Sequence, residues 1–110
     1  MNIRQLVEAC DLQVLTCPEQ TDREITGCYI GDLLSWAMGK VRCGDVWLTV
    51  MGNINAIAVS VLADAACIVL VDNAALDQEA AEKAAQQEVV VLRAKQNAYE
   101  LAIKIAEMLQ

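Results

Sequence analysis

The sequence predicts an α/β fold: a single small domain over residues 1–110, with helices packed on a mostly parallel sheet of about four to five strands. Short apolar runs alternate with amphipathic helical segments through the second half of the chain, an order typical of right-handed crossovers between parallel strands. Apolar residues make up 56% of the chain, above the roughly 45–50% usual in soluble domains, as expected for strands buried on both faces.

The first part of the chain is predicted to hold a helix, a strand and a polar loop. Apolar residues recur at helical spacing between Ile3 and Cys10. The composition of residues 12–17 suits a strand. Residues 18–24 are polar and contain the only Pro, which indicates a loop.

Residues 25–41 are predicted to form a loop, a helix cap and an amphipathic helix. Gly27 and Gly31 give the loop its backbone freedom. Asp32 stands where a carboxylate can accept hydrogen bonds from the first free N–H groups of a helix. The residues predicted to share the apolar face of this helix are Leu33, Leu34, Ala37, Met38 and Val41.

The remaining chain is predicted to supply three strands, each followed by a helix. Residues 45–51 have the β-branched and aromatic content of a strand, and residues 67–72 and 89–94 are apolar runs typical of buried parallel strands. Asn53 or Asn55 is predicted to cap the first of these helices. The apolar residues that line one side of that helix are Ile57, Ala58, Val61, Leu62 and Ala65.

Charge and hydropathy exclude two classes of partner. The net charge is −7, there is no His, and the eight Lys and Arg are scattered, which argues against nucleic acid and anionic membrane surfaces. No apolar run reaches the ~18–20 residues of a membrane span, and the charged N-terminus is unlike a signal peptide. We therefore expect a cytoplasmic chain that binds neither nucleic acid nor membrane.

The five cysteines are odd in number, widely spaced and contain no CxxC pair. Zinc and iron–sulfur sites usually show closely spaced ligand pairs. We expect buried or incidental thiols, no metal and no cofactor, with a metal or redox role as the alternative. The residues are Cys10, Cys17, Cys28, Cys43 and Cys67.

Candidate ligand-binding residues follow from the predicted sheet, because ligands of open parallel sheets favour the carboxyl ends of the strands. The helix after Gly52 would direct its free N–H groups into that crevice, where they can hold an anion. Simple caps and turns are the alternative for the polar residues there. The candidates are Gly27, Gly31, Asp32, Gly52, Asn53, Asn55 and Asp72.

No catalytic residue is predicted. The Gly27-x-x-x-Gly31 spacing lacks the Lys-Ser/Thr pair of a phosphate loop and does not match the dinucleotide fingerprint. Ser35 has no His anywhere in the chain to activate it as a nucleophile.

Trp36 and Trp47 are the only tryptophans of the chain. Trp is enriched at protein–protein contacts, so both are candidate interface residues. Packing in the core is the alternative for each.

Three separated segments carry a resemblance to a known family. Residues 31–35 read GDLLS, residues 44–49 read GDVWLT and residues 55–59 read NAIAV. With these segments in this order, the sequence resembles the DRTGG domain family from about Arg23 to the last helix. The chain has Thr26-Gly27-Cys28 near the position where related sequences carry a Thr-Gly-Gly-like turn.

The resemblance implies a regulatory or oligomerising role, with catalysis housed elsewhere. Such domains look like the N-terminal domain of HPr kinase/phosphorylase, and occur as accessory modules in phosphate acetyltransferases and in pyrophosphatases beside CBS pairs. We therefore expect a stand-alone, non-catalytic homodimer that senses a small anionic ligand or docks on a metabolic enzyme. The alternative is a small enzyme or redox partner in phosphate, acyl-phosphate or metal-dependent metabolism.

Overall fold

The computed structural model describes residues 1–110. The helices are α1 (Ile3–Cys10), α2 (Leu34–Lys40), α3 (Ile54–Ala63), α4 (Gln78–Gln86) and α5 (Ala98–Leu109), and a 3₁₀ turn spans Pro18–Gln20. The strands are β1 (Gln13–Val14), β2 (Gly27–Ile30), β3 (Asp45–Thr49), β4 (Cys67–Leu70) and β5 (Val91–Arg93). None of the helices has the length and hydrophobicity needed to cross a bilayer.

The five strands form one sheet in the order β1-β5-β4-β3-β2. Strands β2 to β5 run parallel, and only β1 is antiparallel to its neighbour. The predicted fold class is confirmed. A first local prediction is wrong: Gly27–Ile30 is not a loop but the edge strand β2, because each of its four residues pairs with a residue of β3, from Gly27 with Asp45 to Ile30 with Leu48.

Helices cover both faces of the sheet and create two cores. The first core contains residues of α1 and α5 together with Val46 and Leu48 of β3. The second contains residues of α2, α3 and α4 together with Trp47. Every residue of β3 and β4 is buried, and for β4 the continuous apolar run predicted this burial under both faces of the sheet.

The predicted apolar side of α3 is largely the exposed side. Ala58, Val61 and Leu62 face solvent, and Leu62 is 74% exposed, whereas Ile57 and Ala65 are buried as expected. The helix buries Ala56, Ile57, Val59 and Ser60. Because α3 is apolar nearly all round, its sequence pattern did not decide which side packs on the sheet.

The start of α2 also differs from the prediction. Its N-cap residue is Leu33, which makes no side-chain capping bond, so Asp32 is not a helix cap. Leu33 and Met38, predicted to share the apolar face, are 60% and 56% exposed. The cap of α3 is Asn53, whose side chain accepts from the Ala56 amide at 2.9 Å.

Candidate functional site

Six of the seven predicted ligand-binding residues follow β2, β3 or β4, at the carboxyl ends of the strands. Gly27 lies at the amino end of β2. Asp32 is engaged within the fold. Its Oδ1 accepts from the Thr49 hydroxyl at 2.8 Å and from the Val50 amide at 2.9 Å. These bonds tie the segment after β2 to the end of β3.

The space at the carboxyl ends of the strands is filled by contacts within the chain. The indole of the buried Trp47 donates to the Gly31 carbonyl at 3.0 Å. A Cβ added at Gly52 would overlap the Ala75 carbonyl oxygen, and the Gly52 carbonyl accepts from the Asp77 amide at 2.8 Å. None of the four surface grooves is lined by any of the six residues at these strand ends.

A groove of about 450 Å³ lies instead at the amino end of β2 and β3, and we call it the β2 groove. Gly27 is the one predicted ligand residue that lines it. The residues of the β2 groove are Thr26, Gly27, Cys28, Tyr29, Lys40, Arg42, Cys43 and Asp45. The turn before β3 and the end of α2 meet the edge strand here.

Asp45 forms a buried carboxylate in the β2 groove. It is only 7% exposed, and its Oδ2 accepts from the Arg42 amide at 2.8 Å. A Cβ added at Gly27 would overlap Oδ1, so only glycine lets this carboxylate lie directly against β2. Oδ1 accepts no hydrogen bond from the protein and is not fully enclosed, so it is open to solvent or to a ligand in the groove.

Two free cations accompany this carboxylate. Lys40 and Arg42 are exposed, and neither forms an ion pair. Together with Asp45 they give the groove one net positive charge in a chain of net charge −7. Cys28 is exposed at the edge of the sheet, but the protein around its thiol displaces part of its water. This desolvation, and further the negative charge of Asp45, raises the pKa of the thiol to about 11, so that it stays neutral.

A second groove, of about 440 Å³, is acidic and contains an ion pair that is already satisfied. Arg23 donates to Asp64 Oδ1 at 2.8 Å, and Cys43 Sγ donates to Oδ2 at 3.1 Å. The hydrogen bond from Arg23, and to a smaller extent the one from Cys43, lowers the pKa of Asp64. The hydrogen bond between Cys43 and Asp64 in turn raises the pKa of the Cys43 thiol. These contacts tie the loop before β2 to the end of α3.

Lys40, Arg42 and Asp45 were not predicted as site residues. A signal was present, because Lys40 and Arg42 are the only basic residues between Arg23 and Lys83. Their meaning depends on the contact of Asp45 with β2, which the linear spacing does not reveal.

Comparison with protein families agrees with this architecture. The family model for the DRTGG domain matches residues 5–108, which include all five strands and all but the ends of the first and last helices. The chain belongs to the DRTGG domain family. The family expected from the sequence is therefore confirmed, and Thr26 and Gly27, near the position of the family's Thr-Gly-Gly-like segment, line the β2 groove. No curated protein matches the domain in sequence.

A solved structure shares the fold. It is the crystal structure of the CBS and DRTGG domains of the regulatory region of Clostridium perfringens pyrophosphatase, complexed with the activator diadenosine tetraphosphate. The TM-score is 0.71 at 8% sequence identity, over 91% of this chain and 44% of that chain. The domain thus corresponds to less than half of that regulatory region, and the likeness concerns the fold.

Proposed function

We propose that this DRTGG domain is a non-catalytic regulatory module that works as a homodimer and binds a small phosphorylated ligand in the β2 groove. One observation carries the proposal: the free cations Lys40 and Arg42 accompany the buried carboxylate of Asp45, which keeps one oxygen unpaired. Lys40 and Arg42 are hydrated and free to pair with an incoming anion, and the fixed acceptor beside them can hold a donor of the same ligand.

The chemistry of the groove selects a class of ligand. Lys and Arg bind phosphate through charge-assisted hydrogen bonds. The free oxygen of Asp45 can accept only from a donor, such as a ribose hydroxyl or an amino group. A nucleotide offers both groups, and about 450 Å³ lies within the usual size of small-molecule sites.

The related pyrophosphatase region supports the same ligand class, since its activator, diadenosine tetraphosphate, is a nucleotide. Anion binding at the start of α3, through Gly52, Asn53 and Asn55, stays a prediction. We favour the β2 groove because the Asn53 side chain already satisfies an amide at the α3 terminus.

Thermal melting with ATP, diadenosine tetraphosphate, inorganic phosphate and adenosine tests the ligand proposal. A ligand that binds the folded state stabilises it by about 2.7 kcal/mol at 100 times its dissociation constant. We expect the phosphorylated compounds, but not adenosine, to raise the melting temperature.

Arg42→Ala should remove that increase, and Lys104→Ala, which removes one positive charge from α5, should preserve it. The ligand proposal is wrong if no phosphorylated compound changes the melting temperature, or if Arg42→Ala responds like the wild type.

A further inference from the structure

We propose that the free edge of β2 pairs antiparallel with β2 of a second copy of this chain, so that the two five-stranded sheets become continuous across a twofold axis. This specifies the surface of the homodimer proposed above and rests on that proposal for the oligomeric state. It does not depend on the identity of the ligand.

Strand β2 lacks the protections that edge strands usually carry. It ends the sheet, and its sequence Gly27–Ile30 contains no charge and no Pro. Native proteins normally blunt an edge with charged residues, Pro, bulges or very short strands. The opposite edge follows that rule, because β1 has only two residues. The edge of β2 is therefore the one open for pairing.

The unpaired backbone groups of β2 belong to Cys28 and Ile30. The Gly31 amide donates to the Leu48 carbonyl at 3.2 Å, so Gly31 directs its amide toward β3. Alternate residues of a strand direct their amides to opposite sides, which turns Cys28 and Ile30 outward. A second β2 strand in antiparallel orientation provides each of them with a donor and an acceptor.

Exposed apolar side chains extend this edge. Ile30, Leu33 and Trp36 are 49%, 60% and 63% exposed. Lys40 lines both the β2 groove and the shallow depression around Trp36, so the Trp36 side of α2 faces the same edge. The interface predicted from the sequence therefore rests on Trp36; Trp47 is 0% exposed and has no surface to offer a partner.

Charge complementarity favours a second copy of this chain as the partner of the β2 edge. Antiparallel pairing brings the end of β2 that carries Asp32 beside the end of the other β2, near Lys40 and Arg42. Both hydrogen bonds to Asp32 fall on Oδ1, so Oδ2 is available to these cations. Twofold symmetry makes the contact twice. Elsewhere the net charge of −7 opposes self-association.

Matched lysine variants test the pairing. Light scattering at about 50 μM, above the dissociation constants of most specific dimers, should give the wild type twice the chain mass of 12.0 kDa. Ile30→Lys should weaken the dimer by about 100-fold, because it places two positive charges close to each other, as diagonal neighbours, across the twofold axis. Leu62→Lys, on the exposed side of α3, should remain a dimer.

Hydrogen exchange of the wild type supplies a measurement that needs no variant. The amides of Cys28 and Ile30 should be protected at about 50 μM and lose protection on dilution, because dissociation exposes them. The pairing is wrong if the wild type is a monomer, if Leu62→Lys alone dissociates it, or if these amides exchange freely in the dimer. Ile30→Lys should keep its melting response to ATP, so that failure of the dimer and failure of the ligand proposal are distinguishable.

Discussion

Replacement of Gly27 by alanine tests the contact on which the β2 groove is built. The new Cβ would overlap Asp45 Oδ1, so the carboxylate has to rotate away from β2. That movement breaks the hydrogen bond in which Asp45 Oδ2 accepts from the Arg42 amide at 2.8 Å. Hydrogen bonds that involve a charged group contribute about 1.5–3 kcal/mol.

A gain in the unfolded state partly offsets this loss. Gly27 does not have a positive φ, so alanine fits the backbone, and the reduced freedom of the unfolded chain stabilises the protein by about 0.4–1 kcal/mol. We expect Gly27→Ala to lower the free energy of unfolding by about 1–2 kcal/mol in the wild type. When Asp45→Ala has removed the carboxylate, the same change should stabilise by about 0.4–1 kcal/mol.

Urea denaturation of the wild type, the two single variants and the double variant measures this coupling. The four proteins are compared at one concentration, because dimerisation adds to stability. We expect a coupling free energy of about 1.5–3 kcal/mol and a reversal of sign in the second background. If Gly27→Ala costs the same with and without Asp45, the two residues do not touch as described and the groove has another shape.

Three further predictions concern the fold around the site. Gly52→Ala should lower the free energy of unfolding in urea by about 3 kcal/mol, because the new Cβ would overlap backbone atoms. Gly39→Ala has open space around it and should stabilise α2 by about 0.5–1 kcal/mol. Equal effects of the two changes would contradict the packing at Gly52. Asn53→Ala should cost about 1 kcal/mol and Asn55→Ala much less, measured in the same way, because only Asn53 caps α3; the reverse order would contradict that assignment. Burial raises the pKa of Cys67 from 9.0 to about 12, so both states are protonated below pH 9.0 and the unfolded state loses its proton first as the pH rises. Stability should fall by about 1.4 kcal/mol per pH unit from pH 9.0 toward 12 through this residue, and melting curves of Cys67→Ala should lack that part of the fall.

The sheet was predictable because its central strands are recognisable from their local sequence alone. Continuous apolar runs such as Cys67–Leu70 can be buried only when both faces of the sheet are covered, and the helical patterns between the runs supply the cover. The order of strands and helices therefore gave a parallel sheet. The cap at Asn53 was also predictable, because it depends on an amide only three residues away.

The groove was not predictable because its contacts join distant parts of the chain. Asp32 looks like a helix cap in sequence, but its carboxylate instead accepts from Thr49, 17 residues away. Gly27 resembles a loop residue, but serves to admit Asp45. In α3 the residues that pack inward include Val59 and Ser60, and no apolar periodicity separates them from the exposed Leu62. Local patterns cannot decide such pairings.

The proposed ligand and the proposed second copy bind to the same cations, so that ligand binding can regulate dimerisation. In the dimer, Asp32 of the second copy approaches Lys40 and Arg42, which are also the groups that a phosphate would bind. Two anions compete for one pair of cations, so each should weaken the binding of the other by the same factor. We therefore expect ATP to shift the wild type toward monomer in sedimentation velocity, and the monomeric Ile30→Lys variant to bind ATP more tightly than the wild type. A dimer that binds ATP and keeps its mass at saturation would show that the carboxylate and the phosphate occupy separate places, because competition for the same cations cannot leave dimerisation unchanged.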